Sequence, residues 1–282
     1  MKTIDIQAVQ QLRKKILQKH DLIMEHVALS SKTRNKKPAE MLARLDAAEK
    51  KLDRLLALPH PPTGADVRVQ KLHQELTELR VFFGAPTGRP LEDRGVDFIA
   101  PYVKSMRLLF QIDSAMALYV EAVRTEFALL EYRMEREEDF SERLLDLADS
   151  IGLWQYRAHF SGIQDSHVFD LGHYLMLIHE LLQPVLFDWE ESDLRGKIAL
   201  VYLQMSGAFA TFPCEPEEVE DSFLDTFILS MTVALFERAP SQYIAQRCKE
   251  TAIWLQNYPL EPYQQEQAGK CYKKALEVLQ DA

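Results

Sequence analysis

HFSGIQDSHVFDLGHYLMLIHELL, residues 159–182, holds four of the chain's eight histidines, with Asp165, Asp170 and Glu180 among them. The stretch reads either as a row of metal ligands or as one helix of a packed bundle. Helical spacing decides between the two. Asp165 or Ser166 can cap a helix whose continuation beyond about Gln183 is disfavoured by Pro184. At about 100° per residue, His167, His173 and His179 then point to roughly 0°, 240° and 120°. Spread so evenly, they cannot share one ion. Asp170 and His173 are three apart on one face and remain as a two-ligand half-site that needs a further ligand from another helix. His159 precedes the cap and could approach from a loop.

HELLQ (179–183) also departs from the zinc-peptidase signature HExxH. That signature uses histidines at i and i+4 as ligands and the glutamate as general base. Here Gln183 stands at the second ligand position and Pro184 follows. Di-iron bundles need Glu-x-x-His on paired helices, and no glutamate in the chain has a histidine three residues on. The apolar residues give the stronger signal. Val168, Leu171, Leu175, Ile178 and Leu182 form one face, which Phe169, Tyr174, Met176, Leu177 and Leu181 widen nearly around the circumference. This pattern places the helix at the centre of a bundle. Its histidines must find partners there, because an unpaired buried polar group costs roughly 1–3 kcal/mol. Gly172 reads as a close helix crossing.

Helical periodicity continues on both sides. In Ile4–Leu29, Val9, Leu12, Ile16 and Ile23 follow the alternating three- and four-residue steps of a coiled-coil seam, with Lys19 and His26 on the same seam. SSKTRNKKPAE interrupts it, and Pro38 suits the first turn of a second helix. Met41, Leu45, Ala48, Leu52 and Leu55 keep the seam spacing there, so the two helices are expected to form a hairpin. A third helix, Val67–Phe83, carries Val69, Leu72, Leu76 and Leu79. GAPTGRPLEDRG (84–95) lacks apolar periodicity and is rich in glycine and proline. Beyond it the pattern predicts helices near 97–136 (with a break near Ile112), 139–151, 166–183, 192–211, 216–237, 240–257 and 261–281. The expected fold is all-α. An N-terminal coiled-coil-like three-helix module (1–83) and a linker (84–95) precede a larger multi-helix bundle (96–282).

Composition agrees with that class. Glycine is scarce, at 10 of 282 residues, whereas sheet proteins need it in tight turns. Cys214, Cys248 and Cys271 include no CxxC pair, which argues against a disulfide framework or a structural zinc site. The most apolar stretches, Ile198–Phe212 and Phe223–Phe236, fall short of the ~20 residues that span a bilayer. No membrane span is expected, and cytoplasmic residence is the expectation.

Net charge is −10, unevenly distributed. Residues 1–60 hold 13 basic and 7 acidic side chains, whereas residues 121–225 hold 7 and 23. A basic head and an acidic body can steer association with a charged partner or between copies of the chain. Lys32, Arg34, Lys36 and Lys37 mark the basic surface. Glu217, Glu218, Glu220 and Asp221, in EPEEVED (215–221), belong to the acidic one. EREEDFSERLLDLAD (135–149) adds a second acidic run, and it lacks the alternating ligands and mid-loop glycine of a calcium loop.

No GxSxG, GxxxxGK[ST] or GxGxxG motif occurs. Near the C-terminus, Ala268, Tyr272 and Ala275 resemble the A-x3-[FY]-x2-A spacing of the second tetratricopeptide-repeat helix, and Leu255 fits the helix before it. Ala252, Gln256 and Pro259 depart from that pattern, and a generic small-residue helix contact explains the spacing equally well. The expected function is that of a non-enzymatic helical protein–protein interaction protein, such as an adaptor, assembly or secretion-associated factor. Its partner would be another protein, with self-association through the N-terminal hairpin and no cofactor. The alternatives are a metal-dependent or histidine-using enzyme centred on residues 159–180, with Asp170 and His173 as ligands, and nucleic-acid binding through residues 32–37. Overall acidity disfavours nucleic acid.

Overall fold

The structure, a computed structural model, describes residues 38–83, 93–113, 115–157, 165–187, 192–211, 219 and 221–280. Ten helices and no strand occur among the described residues, so the chain is all-α as its periodicity predicts. The helices are α1 Pro38–Leu56, α2 Val67–Phe83, α3 Asp93–Asp113, α4 Met116–Glu135, α5 Ser141–Arg157, α6 Asp165–Leu186, α7 Ser192–Thr211, α8 Asp221–Phe236, α9 Gln242–Leu255 and α10 Pro262–Gln280. None is long and apolar enough to cross a membrane. The expected helix 4–29, its coiled-coil seam and the basic residues 32–37 lie outside the described residues.

Two compact units divide the chain, one ending at Asp113 and the other beginning at Ser114. In the first, Pro38 opens α1, where its missing N–H costs nothing. Met41, Leu45, Ala48, Leu52 and Leu55 are all buried, and so are Val69, Leu72, Leu76 and Leu79 of α2. Both sets are the ones the spacing selects. At the rim, Arg44 reaches Glu75 and Glu78 at 3.3 and 3.2 Å, and Lys51 reaches Glu75 at 3.4 Å. These half-exposed pairs orient α1 and α2 and contribute about 0–1 kcal/mol each.

The sequence reading places residues 96–113 in the second domain. In the structure, α3 packs on α1 and α2. Phe98 stacks on Phe83 with ring centroids 4.2 Å apart, and Tyr102 stacks on Phe98 at 4.7 Å. This aromatic ladder keeps α3 in the first unit. The predicted long helix 97–136 is two helices, with α3 ending at Asp113 and α4 starting at Met116.

The second unit is built around α7, which touches α5, α6, α8 and α9. Every residue from Val201 to Phe209 is buried. The sequence reading gives the central place to α6 instead. Leu171, Leu175, Ile178 and Leu182 are fully buried as expected. His173, Met176, Glu180 and Pro184 nevertheless share an exposed stripe, and Met176 is 44% exposed. The apolar circumference is therefore interrupted, and α6 lies at the surface of the bundle. It also passes the expected stop at Gln183 and runs to Leu186. Pro184 removes one N–H, but the Phe187 N–H still reaches the Gln183 carbonyl at 3.4 Å and Leu186 is fully buried, which offsets part of the proline cost.

Candidate functional site

Groups capable of chemistry gather in three places: the histidines of α6, the acidic runs, and the polar groups that the α7 core encloses. His179, on the inner side of α6, is 6% exposed. Its Nδ1 lies 3.1 Å from the Tyr202 hydroxyl on α7, and its Nε2 lies 3.2 Å from Ser222 Oγ in the first turn of α8. The Tyr202 hydroxyl also donates to the His179 carbonyl at 3.3 Å. Burial pushes the Tyr202 phenol well above its ordinary value, so the phenol keeps its proton. One assignment then satisfies every group. Tyr202 donates to the carbonyl, the imidazole Nδ1–H donates to the phenol oxygen, and Ser222 donates to Nε2. Phe223 stacks on the imidazole at 4.0 Å and fixes its plane. The histidine thus ties α6 to α7 and α8.

Asp170 is half-buried and His173 exposed. No group of three or more metal-ligating residues forms around them or elsewhere among the described residues. Glu180, the glutamate that an HExxH site would use as its base, is exposed while His179 is buried, so the two do not face one cavity. The side chains of His159 and His167 lie outside the described residues.

Of the acidic residues singled out in EPEEVED, Asp221 opens α8 and is exposed, where a carboxylate complements the helix N-terminus. Glu217, Glu218 and Glu220 lie outside the described residues, as do Lys32, Arg34, Lys36 and Lys37. The other acidic run forms a corner where α4 passes into α5. Glu131, Glu135, Glu137, Glu138, Asp139 and Glu142 are all exposed there. Partial burial and the neighbouring charge of Glu135 push the Glu131 carboxyl up. Arg133 reaches Glu138 at 3.5 Å, and the Arg136 guanidinium lies 3.6 Å over the Tyr132 ring. The Ser141 N–H donates to Asp139 at 2.9 Å and holds that carboxyl low.

Sequence reasoning did not identify the partners of His179. Tyr202 and Ser222 are separated from it by 23 and 43 residues. Their signal is the presence of single polar residues inside apolar runs, IALVYLQ and SFLDTF. It also missed Arg195, which is 3% exposed and lies in the second turn of α7.

Compared with protein-family models, curated protein sequences and solved structures, the chain finds no match in any of the three.

Proposed function

We propose that the chain is a non-enzymatic helical interaction protein whose acidic body docks a basic segment of another protein. The observation that supports this reading is the α4–α5 corner, where six exposed carboxylates lie within twelve residues, Glu131 to Glu142. Partial burial first, and the charge of Glu135 second, push the Glu131 carboxyl up, and a basic partner would relieve the second of these. Lys32, Arg34, Lys36 and Lys37 carry charge of the opposite sign in the sequence, which suits either another partner or a second copy of the chain.

Co-purification of the tagged chain from its own cells tests the reading, run beside a variant carrying Glu135→Lys, Glu138→Lys and Glu142→Lys. The expected result is a partner that is recovered with the native chain at low salt and lost with the variant. Recovery of monomer alone, or of the same proteins with both chains, would overturn the proposal. A parallel light-scattering measurement separates self-association from association with another protein.

A further inference from the structure

A half-open pocket of about 170 Å³ lies between α7 and α9. Small residues open its α7 wall, where Gly207 and Ala210 leave room beside Trp254 of α9. An apolar cavity of about 150 Å³ holds one benzene ring. The space therefore accommodates a single six-membered ring with one small substituent. Trp254 is a preformed wall, fixed by Phe209, Phe227 and Tyr258 at centroid distances of 6.4, 5.3 and 4.8 Å.

Polar groups in the lining select the substituent. Arg247 reaches Glu250 at 2.6 Å, so the guanidinium charge is already matched. Glu250 is held further by the Gln246 side-chain amide at 2.7 Å. The hydroxyl hydrogens are committed. Thr211 donates to the Gly207 carbonyl at 2.6 Å and Thr251 to the Arg247 carbonyl at 2.9 Å. Ser206 has the Leu203 carbonyl at 2.9 Å and Thr251 Oγ1 at 2.7 Å. What these hydroxyls and Glu250 can still offer is oxygen lone pairs. The Arg247 Nε–H is a buried donor with no hydrogen-bond partner. A small swing of the guanidinium would present it to a bound group.

A ligand that fits must bring one acceptor for the arginine and one donor for the oxygens, without net charge. A carboxylate has acceptors only and would face Glu250. An ammonium or amidinium has donors only and would face Arg247. We propose that this cavity binds a small uncharged planar amide, one aromatic or heteroaromatic ring bearing a carboxamide, with the ring against Trp254 and the amide at the Arg247–Glu250 pair.

Benzamide is the probe, with benzoate and benzamidinium as its planar charged isosteres. Each is titrated while the Trp254 indole N–H resonance is followed, assigned with Trp254→Phe. The expected result is a saturable shift with benzamide and binding of both isosteres weaker by about tenfold or more. Arg247→Met should weaken benzamide about tenfold. Ala210→Leu fills the cavity from an exposed position and should abolish the shift while Tm is unchanged. No saturable shift, equal responses to the three probes, or a benzamide response that survives Ala210→Leu would overturn the assignment.

Discussion

Arg195 Nη1 lies 2.9 Å from each carboxylate oxygen of Glu237, from a side chain that is 3% exposed. The same guanidinium donates through Nε to the Leu186 carbonyl at 2.8 Å. One side chain near the start of α7 thus joins the last residue of α6, where backbone carbonyls lack helical partners, to the carboxylate of Glu237, the residue after α8. Removing the carboxylate leaves a buried charge, whereas removing the arginine takes the charge away. Glu237→Ala should therefore destabilise the second unit by about 2–3 kcal/mol, and Arg195→Met by less. Urea denaturation ranks the two variants, and the reverse order would contradict this account.

His179 is expected to contribute through its network. His179→Ala leaves a core void and unpairs two hydroxyl contacts, at a cost of about 2–4 kcal/mol. Ser222→Ala removes one hydrogen bond at a half-buried site and should cost about 1 kcal/mol. A double-mutant cycle should then show coupling of about 0.5 kcal/mol or more.

Glu137 has φ 54, a left-handed conformation that suits glycine. It follows the end of α4, where the Glu138 N–H reaches the Arg133 carbonyl at 3.0 Å and the Glu137 N–H reaches that of Met134 at 3.1 Å. This is a Schellman arrangement with glutamate in the glycine position. Glu137→Gly should stabilise by about 0.5–1 kcal/mol and raise Tm by about 1–3 °C. Calorimetry measures the shift.

Gly152 of α5 faces Gln204 of α7, whose amide carbon and oxygen would lie 3.0 Å from a Cβ at residue 152. Gln204 cannot readily retreat, because its amide nitrogen is hydrogen-bonded to the Tyr243 hydroxyl. Gly152→Ala should therefore lower stability despite the better helix propensity of alanine, and Gly152→Val should lower it by about 1–3 kcal/mol. Tyr243→Phe frees Gln204, so it should reduce the penalty of Gly152→Ala when the two are combined.

Burial pushes the Cys248 thiol up to about 12, with Cys271 adding to the effect, and raises the Cys271 thiol as well. Both side chains are at most 1% exposed. Because the folded state holds these protons more tightly, their contribution to stability is complete below about pH 9. It falls as pH rises from about 9 to about 12. Iodoacetamide at pH 8 should leave both residues unmodified in the native protein and alkylate them in guanidinium, as read by peptide mass spectrometry.

Patterning revealed α1 and α2 because each is apolar on one side only, so spacing and burial coincide. It ranked α6 above α7 for a physical reason. Both are apolar on most faces, and only packing shows which one is enclosed. Met176 is a long apolar side chain that tolerates water, so its exposure leaves no mark in the sequence. The acidic corner was legible because charge is countable along the chain. The His179 network was legible only as a requirement, since α6, α7 and α8 each supply one of its members. The left-handed Glu137 carries no glycine or asparagine to announce it.

The enclosure of α7 has a mechanical consequence. With Val201–Phe209 buried throughout and four helices against α7, this central stretch has no exposed residue along which to slide or rotate. Any displacement would have to repack α5, α6, α8 and α9 together. The second unit is thus suited to presenting its surface as a stiff template, so that a partner meets side chains already held in place and adjustment falls on the partner.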